Sequence, residues 1–164
     1  MMRIINQAAE KFKNMQAELC EFLFGMLREI NVLEREFVAR DKKLFEEKRF
    51  SETREMFAEY RERYGGIVKD KCTEKLLSKP YGMSLNSEIL YAFAKEDFEG
   101  IDGKGCTVTF EMNAPKRAVI EARYKRSSQE RADKFTLIKQ GDKWLVDAHN
   151  WWSEYDFVWH RGNI

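Results

Sequence analysis

Proline and glycine are scarce, at two and nine of 164 residues, which excludes a collagen-like or proline-rich chain. The three cysteines, Cys20, Cys72 and Cys106, lack metal-type spacing and leave an odd thiol if two pair, so reduced thiols and a cytoplasmic setting are expected. No apolar run approaches the ~18 residues of a membrane helix. The most apolar stretch, Leu19–Leu27, is broken by Glu21 and lies too far in for a secretory core after so polar a start. An excess of charge is also missing: 29 basic residues face 28 acidic ones, for a net of +1. Nucleic-acid binders concentrate positive charge, so neither nucleic acid nor a membrane is expected as a partner. Phosphate-cradling glycine loops, H-E-x-x-H, C-x-x-C and G-x-S-x-G are all absent, and no cofactor is implied.

What is present is 43% hydrophobic and 35% charged, the composition of a packed core with a well-solvated exterior. A chain of 164 residues is expected to form one domain spanning 1–164. Its hydrophobic period changes once. From Asn14 to about Glu47, Met15, Leu19, Phe22, Leu23, Met26, Leu27, Ile30, Leu33 and Phe37 recur in steps of three and four. That is the stripe of one long helix, with Glu18, Glu21, Arg28, Glu29, Glu34, Glu36 and Arg40 on its solvated side. Phe50, Thr53, Phe57, Tyr60 and Tyr64 predict a second helix ending at Gly65-Gly66. Ile67, Val68, Cys72 and Leu76 predict a shorter third, stopped by Pro80 and Gly82.

After Pro80 the period is two. Ile89–Ala94 reads as a strand apolar on both faces. Cys106–Met112 and Ala118–Lys125 alternate, as a half-buried pair should. Phe135–Lys139, the Gly141-Asp142 turn and Lys143–Trp152 give a hairpin. Helices first and a strand meander afterwards imply an α+β fold, with N-terminal helices, one of them long, on a strongly curved antiparallel sheet of four to five strands. The helical part runs over 14–80, the sheet over 86–153 and a tail over 154–164.

Chemistry is thinly signalled. His149 and His160 with Asp147 or Asp156 are the one metal set on offer, and interfacial or solvated histidines are the commoner case, so no metal is expected. Cys20, Cys72 and Cys106 fall on apolar stripes and read as core rather than as nucleophiles. Asp147 and His149 lie two apart, so on a regular strand they point to one side and could act together as acid and base. By the same parity Trp152 lies inward with Trp144 and Val146, and Trp151 points out. The inward positions, Cys106, Val108, Phe110, Met112, Ile120, Trp144 and Val146, are almost all apolar, which disfavours a catalytic pocket. The tail is unusual. Trp151, Trp152, Tyr155, Phe157 and Trp159 crowd together among Glu154, Asp156, His160 and Arg161, the residue types that dominate the energetic centres of interfaces. Glu96, Asp97, Glu99 and Asp102 form an acidic turn; Arg123, Lys125, Arg126, Arg131 and Lys134 form a basic hairpin. Candidate partner-binding residues are therefore His149, Trp151, Tyr155, Asp156, Trp159, His160 and Arg161, with Glu96, Asp97, Glu99 and Asp102.

Three segments carry a resemblance: the Phe22-Leu23-x-x-Met26 stripe, the run Gly65-Gly66-Ile67-Val68 to Cys72-Thr73, and the closing Phe135–Asp147 hairpin with its Lys143-Trp144-Leu145-Val146-Asp147 strand. Together, over about residues 15–161, they resemble the nuclear-transport-factor-two-like, or cystatin-like, cone fold. More narrowly they resemble the immunity proteins of that fold in bacterial polymorphic toxin systems, including the Rhs-associated type. The resemblance implies a cytoplasmic, non-enzymatic protein that binds a cognate toxin domain, encoded by the adjacent gene, and blocks its active site or substrate groove. It supplies no universal contact residue. A small cone-fold enzyme of the isomerase, dehydratase or cyclase kind, using Asp147 and His149, is the competing expectation. A homodimer through the first helix or the open sheet face is a third.

Overall fold

The computed structural model describes residues 2–164. A short strand β1 (Met2–Asn6) leads through a 3-10 turn into the 31-residue helix α1 (Gln16–Glu46). Helices α2 (Thr53–Val68) and α3 (Glu74–Leu77) follow. After a 3-10 turn at Ala92–Ala94 come β2 (Cys106–Ala114), β3 (Arg117–Arg126), β4 (Gln129–Gln140), β5 (Lys143–Ser153) and β6 (Val158–Gly162). The six strands form one mixed, open sheet in chain order, with β1 parallel to β2 and every other pair antiparallel.

The α+β class and the long first helix match the expectation; four to five strands become six. Both additional strands are edges. β1, Met-Arg-Ile-Ile-Asn, precedes the first expected helix and is paired Met2↔Cys106 to Asn6↔Phe110, and β6 lies within the expected tail. Edge strands lack a second apolar neighbour, so their sequences carry little alternation.

The core forms where α1 crosses the sheet. Leu19, Leu23, Met26, Leu27, Ile30 and Phe37 are buried against Cys106, Val108, Phe110, Ile120, Phe135, Leu137 and Val146. Each large side chain fully buried contributes about 1.5–3 kcal/mol, so this seam dominates stability. Bidentate pairs, Arg63 to Glu36 (2.6 and 2.8 Å) and Arg40 to Glu59 (3.0 and 2.8 Å), orient α2 along α1. They hold both carboxylates below their usual range, chiefly through those hydrogen bonds.

Three local expectations are corrected. First, α2 does not stop at Gly65-Gly66 but runs to Val68, which is buried. Gly65 is instead a packing residue, since a Cβ there would lie 3.1 Å from the Tyr81 hydroxyl. Second, the third helix is only Glu74–Leu77. Residues 71–73 leave the helical path to pair with β5 through Thr73 N–H to Val146 O (2.9 Å) and Val146 N–H to Lys71 O (2.8 Å). Thr73 Oγ1 then caps α3 by accepting from the Leu76 amide.

Third, Ile89–Ala94 is not a strand. It is a covering segment whose backbone bonds to side chains of α1. Asn31 gives and takes hydrogen bonds with the Tyr91 backbone (2.7 and 3.0 Å), and Glu34 accepts from the amides of Asn86 (3.1 Å) and Leu90 (2.7 Å). Glu34, assigned to the solvated side of α1, is therefore buried, and that burial raises its carboxyl pKa despite the two amides. Tyr91, Phe93 and Ala94 lose their surface to the core through this segment.

Gly66 differs from Gly65 in that no atom lies within 4 Å of a Cβ built on it. Gly66→Ala is expected to raise stability by about 0.5–1 kcal/mol by restricting the unfolded chain, whereas Gly65→Ala should gain nothing. Urea unfolding midpoints of the two variants check this.

Candidate functional site

The decisive local feature is an extra residue in β5. Thr136 pairs with Ala148 but Leu137 pairs with Val146, which leaves Asp147 unmatched in a bulge. Every residue after it changes face relative to a regular strand. His149 and Trp151 thus lie on the same face as Val146, opposite Phe135 and Asp133 respectively. Trp152 turns to the other face, beside Trp159. The expected parity is reversed for His149, Trp151 and Trp152, because a single inserted residue is invisible to a period-two pattern.

Asp147 and His149 consequently do not converge. Asp147 accepts from Thr73 Oγ1 (2.9 Å) and Lys75 Nζ (2.9 Å) beside the N-terminus of α3. Burial raises its pKa, and these two donors outweigh burial to hold it below the usual carboxylate value. His149 is buried, its ring stacked 4.6 Å from Phe135. Its Nε2 meets Asp133 Oδ1 at 2.7 Å and its Nδ1 meets the Asn163 carbonyl at 2.6 Å. A carbonyl can only accept, so Nδ1 carries a hydrogen. With Asp133 on the other nitrogen, both ring nitrogens are engaged by groups of the protein.

Tyr124 donates to Asp133 Oδ2 (2.7 Å), and the hydroxyls of Tyr91 and Tyr64 interact with each other. Burial first, and the Asp133 charge second, push the Tyr124 hydroxyl far above its ordinary range. These groups line a cavity of about 310 Å³ together with Trp151 at its rim. Asp133 was not anticipated. Its signal was available, since it shares the parity of Phe135 and Leu137 on β4.

The C-terminal residues close over this cavity. Asn163 reaches the Pro80 carbonyl with its side chain, Ile164 is buried, and Lys79 Nζ lies 3.5 Å from the Gly162 carbonyl. His149 is thereby a clasp between the sheet and the segment after β6.

The remaining candidates gather at one end of the sheet, where β2, β4 and β6 begin and β3 and β5 end. Trp151 is 42% exposed and stacks on His160 at 4.5 Å. Tyr155 and Phe157, in the β5–β6 turn, are 83% and 71% exposed, and Gln129 donates to the Tyr155 hydroxyl (2.7 Å). Phe157 holds a left-handed φ of 56°, kept by its amide bond to the Ser153 carbonyl (3.0 Å). A bulky residue rarely adopts that conformation, and such strain concentrates where side chains are aimed for function. Asp156 serves the turn, accepting from Ser153 and from His160 Nε2 (2.8 Å), and those bonds lower its pKa. Trp159 lies on the open face beneath Lys134, 3.9 Å from its ring centre, and Arg161 is exposed. Glu96, Asp97, Glu99 and Asp102 are exposed on a loop at this same end, tied down by Phe98 packing on Tyr124 and by Asp102 to Lys125 at 3.7 Å.

No group of three or more histidine, cysteine or acidic residues among the described residues could hold a metal ion. No helix of the described residues is long and apolar enough to cross a membrane. No protein-family model matches the chain, and no curated protein or solved structure matches it either.

Two outcomes are expected. A Cβ on Gly162 would lie 2.8 Å from His149 Nδ1, so Gly162→Ala must displace the clasp and should cost about 1–3 kcal/mol in thermal or urea unfolding. Burial pushes the Cys20 thiol up to about 11 and those of Cys72 and Cys106 up to about 12. All three should resist a disulfide reagent at pH 8 in the folded protein and react at once in denaturant.

Proposed function

We propose that this chain is a toxin-neutralising immunity protein of the nuclear-transport-factor-two-like, cystatin-like cone type, which acts by covering a cognate toxin domain encoded by the adjacent gene. The observation that carries the reading is the exposure of Met83, Leu90, Ile101, Trp151, Tyr155, Phe157 and Val158 at one end of the sheet, within a border of charged residues. Large uncovered apolar side chains grouped in this way mark protein-binding surfaces, and tyrosine and tryptophan anchors supply most of the affinity there. The core beneath is buried with its polar side-chain atoms bonded among the described residues, which lowers the ordering cost of presenting the aromatic tip. Occlusion needs no reacting group on this chain.

A small cone-fold enzyme is the second reading, and the cavity with Asp133, His149 and Tyr124 is the observation in its favour. Against it stand the engagement of both His149 nitrogens and the separation of Asp147.

Co-expression with the neighbouring open reading frame tests the leading reading. The expected result is a co-purifying complex and protection from growth arrest; persistent killing without a complex would overturn it. Tyr155→Ala and Phe157→Ala should each weaken that complex about 5–30-fold while shifting the melting temperature little, because both side chains are exposed. Melting curves beside titration calorimetry separate the two effects.

A further inference from the structure

Two patches of opposite sign lie side by side at the aromatic end of the sheet. The first is the 96–102 loop. Among the described residues, Glu96, Asp97 and Glu99 have no cation within ion-pair distance, and Ile101 beside them is 60% exposed. The loop is well fixed, by the Gly105 amide on the Glu99 carbonyl (2.7 Å) and by Phe98 against Tyr124. The second is a groove of about 220 Å³ beside it, walled by Lys104, Arg123, Lys125 and Arg131 with Trp152 at its side. Arg123 is paired with Glu121 and Lys125 with Asp102. Among the described residues, Lys104 and Arg131 have no carboxylate, and Arg131 makes only a 3.3 Å bond to Gln129.

We propose that this end is self-complementary and that two copies of the chain pair through it about a two-fold axis. Each acidic loop lies on the other copy's basic groove, with Ile101 against Trp152. An isologous contact requires that residue i meet j while j meets i. A surface carrying both signs in adjacent patches meets that condition, whereas a patch of one sign repels its own copy. A net charge of +1 adds no long-range repulsion between copies. The apolar side chains of the same end give the contact a dry centre, and a standard ~800 Å² per partner is under a tenth of the 9824 Å² surface. Polyphosphate is a poorer occupant of the groove, since Asp102 and Glu130 interrupt the cations that line it.

The inference goes beyond the proposed function and concerns the protein without its toxin. The pair hides the end that is proposed to dock, so a toxin domain binds the separated chain in competition with the second copy. The test uses this chain alone, so its failure is distinct from the absence of a toxin complex.

Sedimentation velocity over 1–100 µM protein (about that range suits interfaces of standard size) should give a dimer at low salt that dissociates more than about tenfold more readily at 0.5 M salt. Two variants reverse exposed charges only: K104E/R131E in the groove and E96K/D97K/E99K in the loop. Each should be monomeric by itself, with an unchanged melting curve. An equimolar mixture of the two should dimerise, because each loop then faces a groove of opposite sign. A monomeric wild-type chain at all concentrations, a dimer indifferent to either reversal, or a mixture that stays monomeric would each overturn the proposal.

Discussion

The inserted residue at Asp147 governs the arrangement of the C-terminal half of the sheet. A strand buried on one face has no freedom to slip by one position without exchanging its core for its surface. The bulge makes that exchange once, part-way along β5. Before it, Trp144 and Val146 face the helices; after it, His149 and Trp151 do. The His149 clasp, the position of Trp151 at the cavity rim and the pairing of Trp152 with Trp159 on the open face all follow. Asp147 itself, put out of register, is free to meet Thr73 and Lys75, and so ties α3 to the sheet beside the backbone bridge at Val146.

The parts of the fold legible in the sequence were those whose burial is one-sided and regular. The α1 stripe from Leu19 to Phe37, the alternation of β2 and β3 and the Gly141-Asp142 hairpin each repeat a simple period over enough residues to be unambiguous. What was not legible depended on partners distant in the chain. β1 is a strand because β2 has an open edge. Gly65 is a glycine inside a helix because the Tyr81 hydroxyl lies where its Cβ would crowd. Ile89–Ala94 is not a strand because Asn31 and Glu34, sixty and more than fifty residues earlier, already satisfy its backbone. The candidate residues were legible as types. The 96–102 acids and the aromatic tail do share one end of the sheet, but His149 was placed on the wrong face by the hidden bulge.

The polar groups under the covering segment have a mechanical meaning whether or not a ligand enters. Asp133 accepts from Tyr124 and pairs with His149, and no buried side-chain nitrogen or oxygen of the described residues is left without a partner. Such a fully bonded network is costly to disturb, because removal of one member strands another. It keeps the rim and the strands beneath the exposed aromatics in fixed relation, which is the property a docking surface needs. The charged groups around that rim are mostly solvated, so in a complex they would bear on encounter and selectivity more than on the strength of the contact.

The attachment of residues 86–91 to Asn31 and Glu34 has one more consequence. A strand in that place would commit every second side chain to a neighbour and every amide to a ladder. Two side chains on a helix do the same holding while Ser84 and Ser87 stay exposed and Glu88 reaches Arg126 at the end of β3 (2.7 Å). The lip of the molecule can therefore exchange its exposed side chains without disturbing the pairing of the sheet behind it.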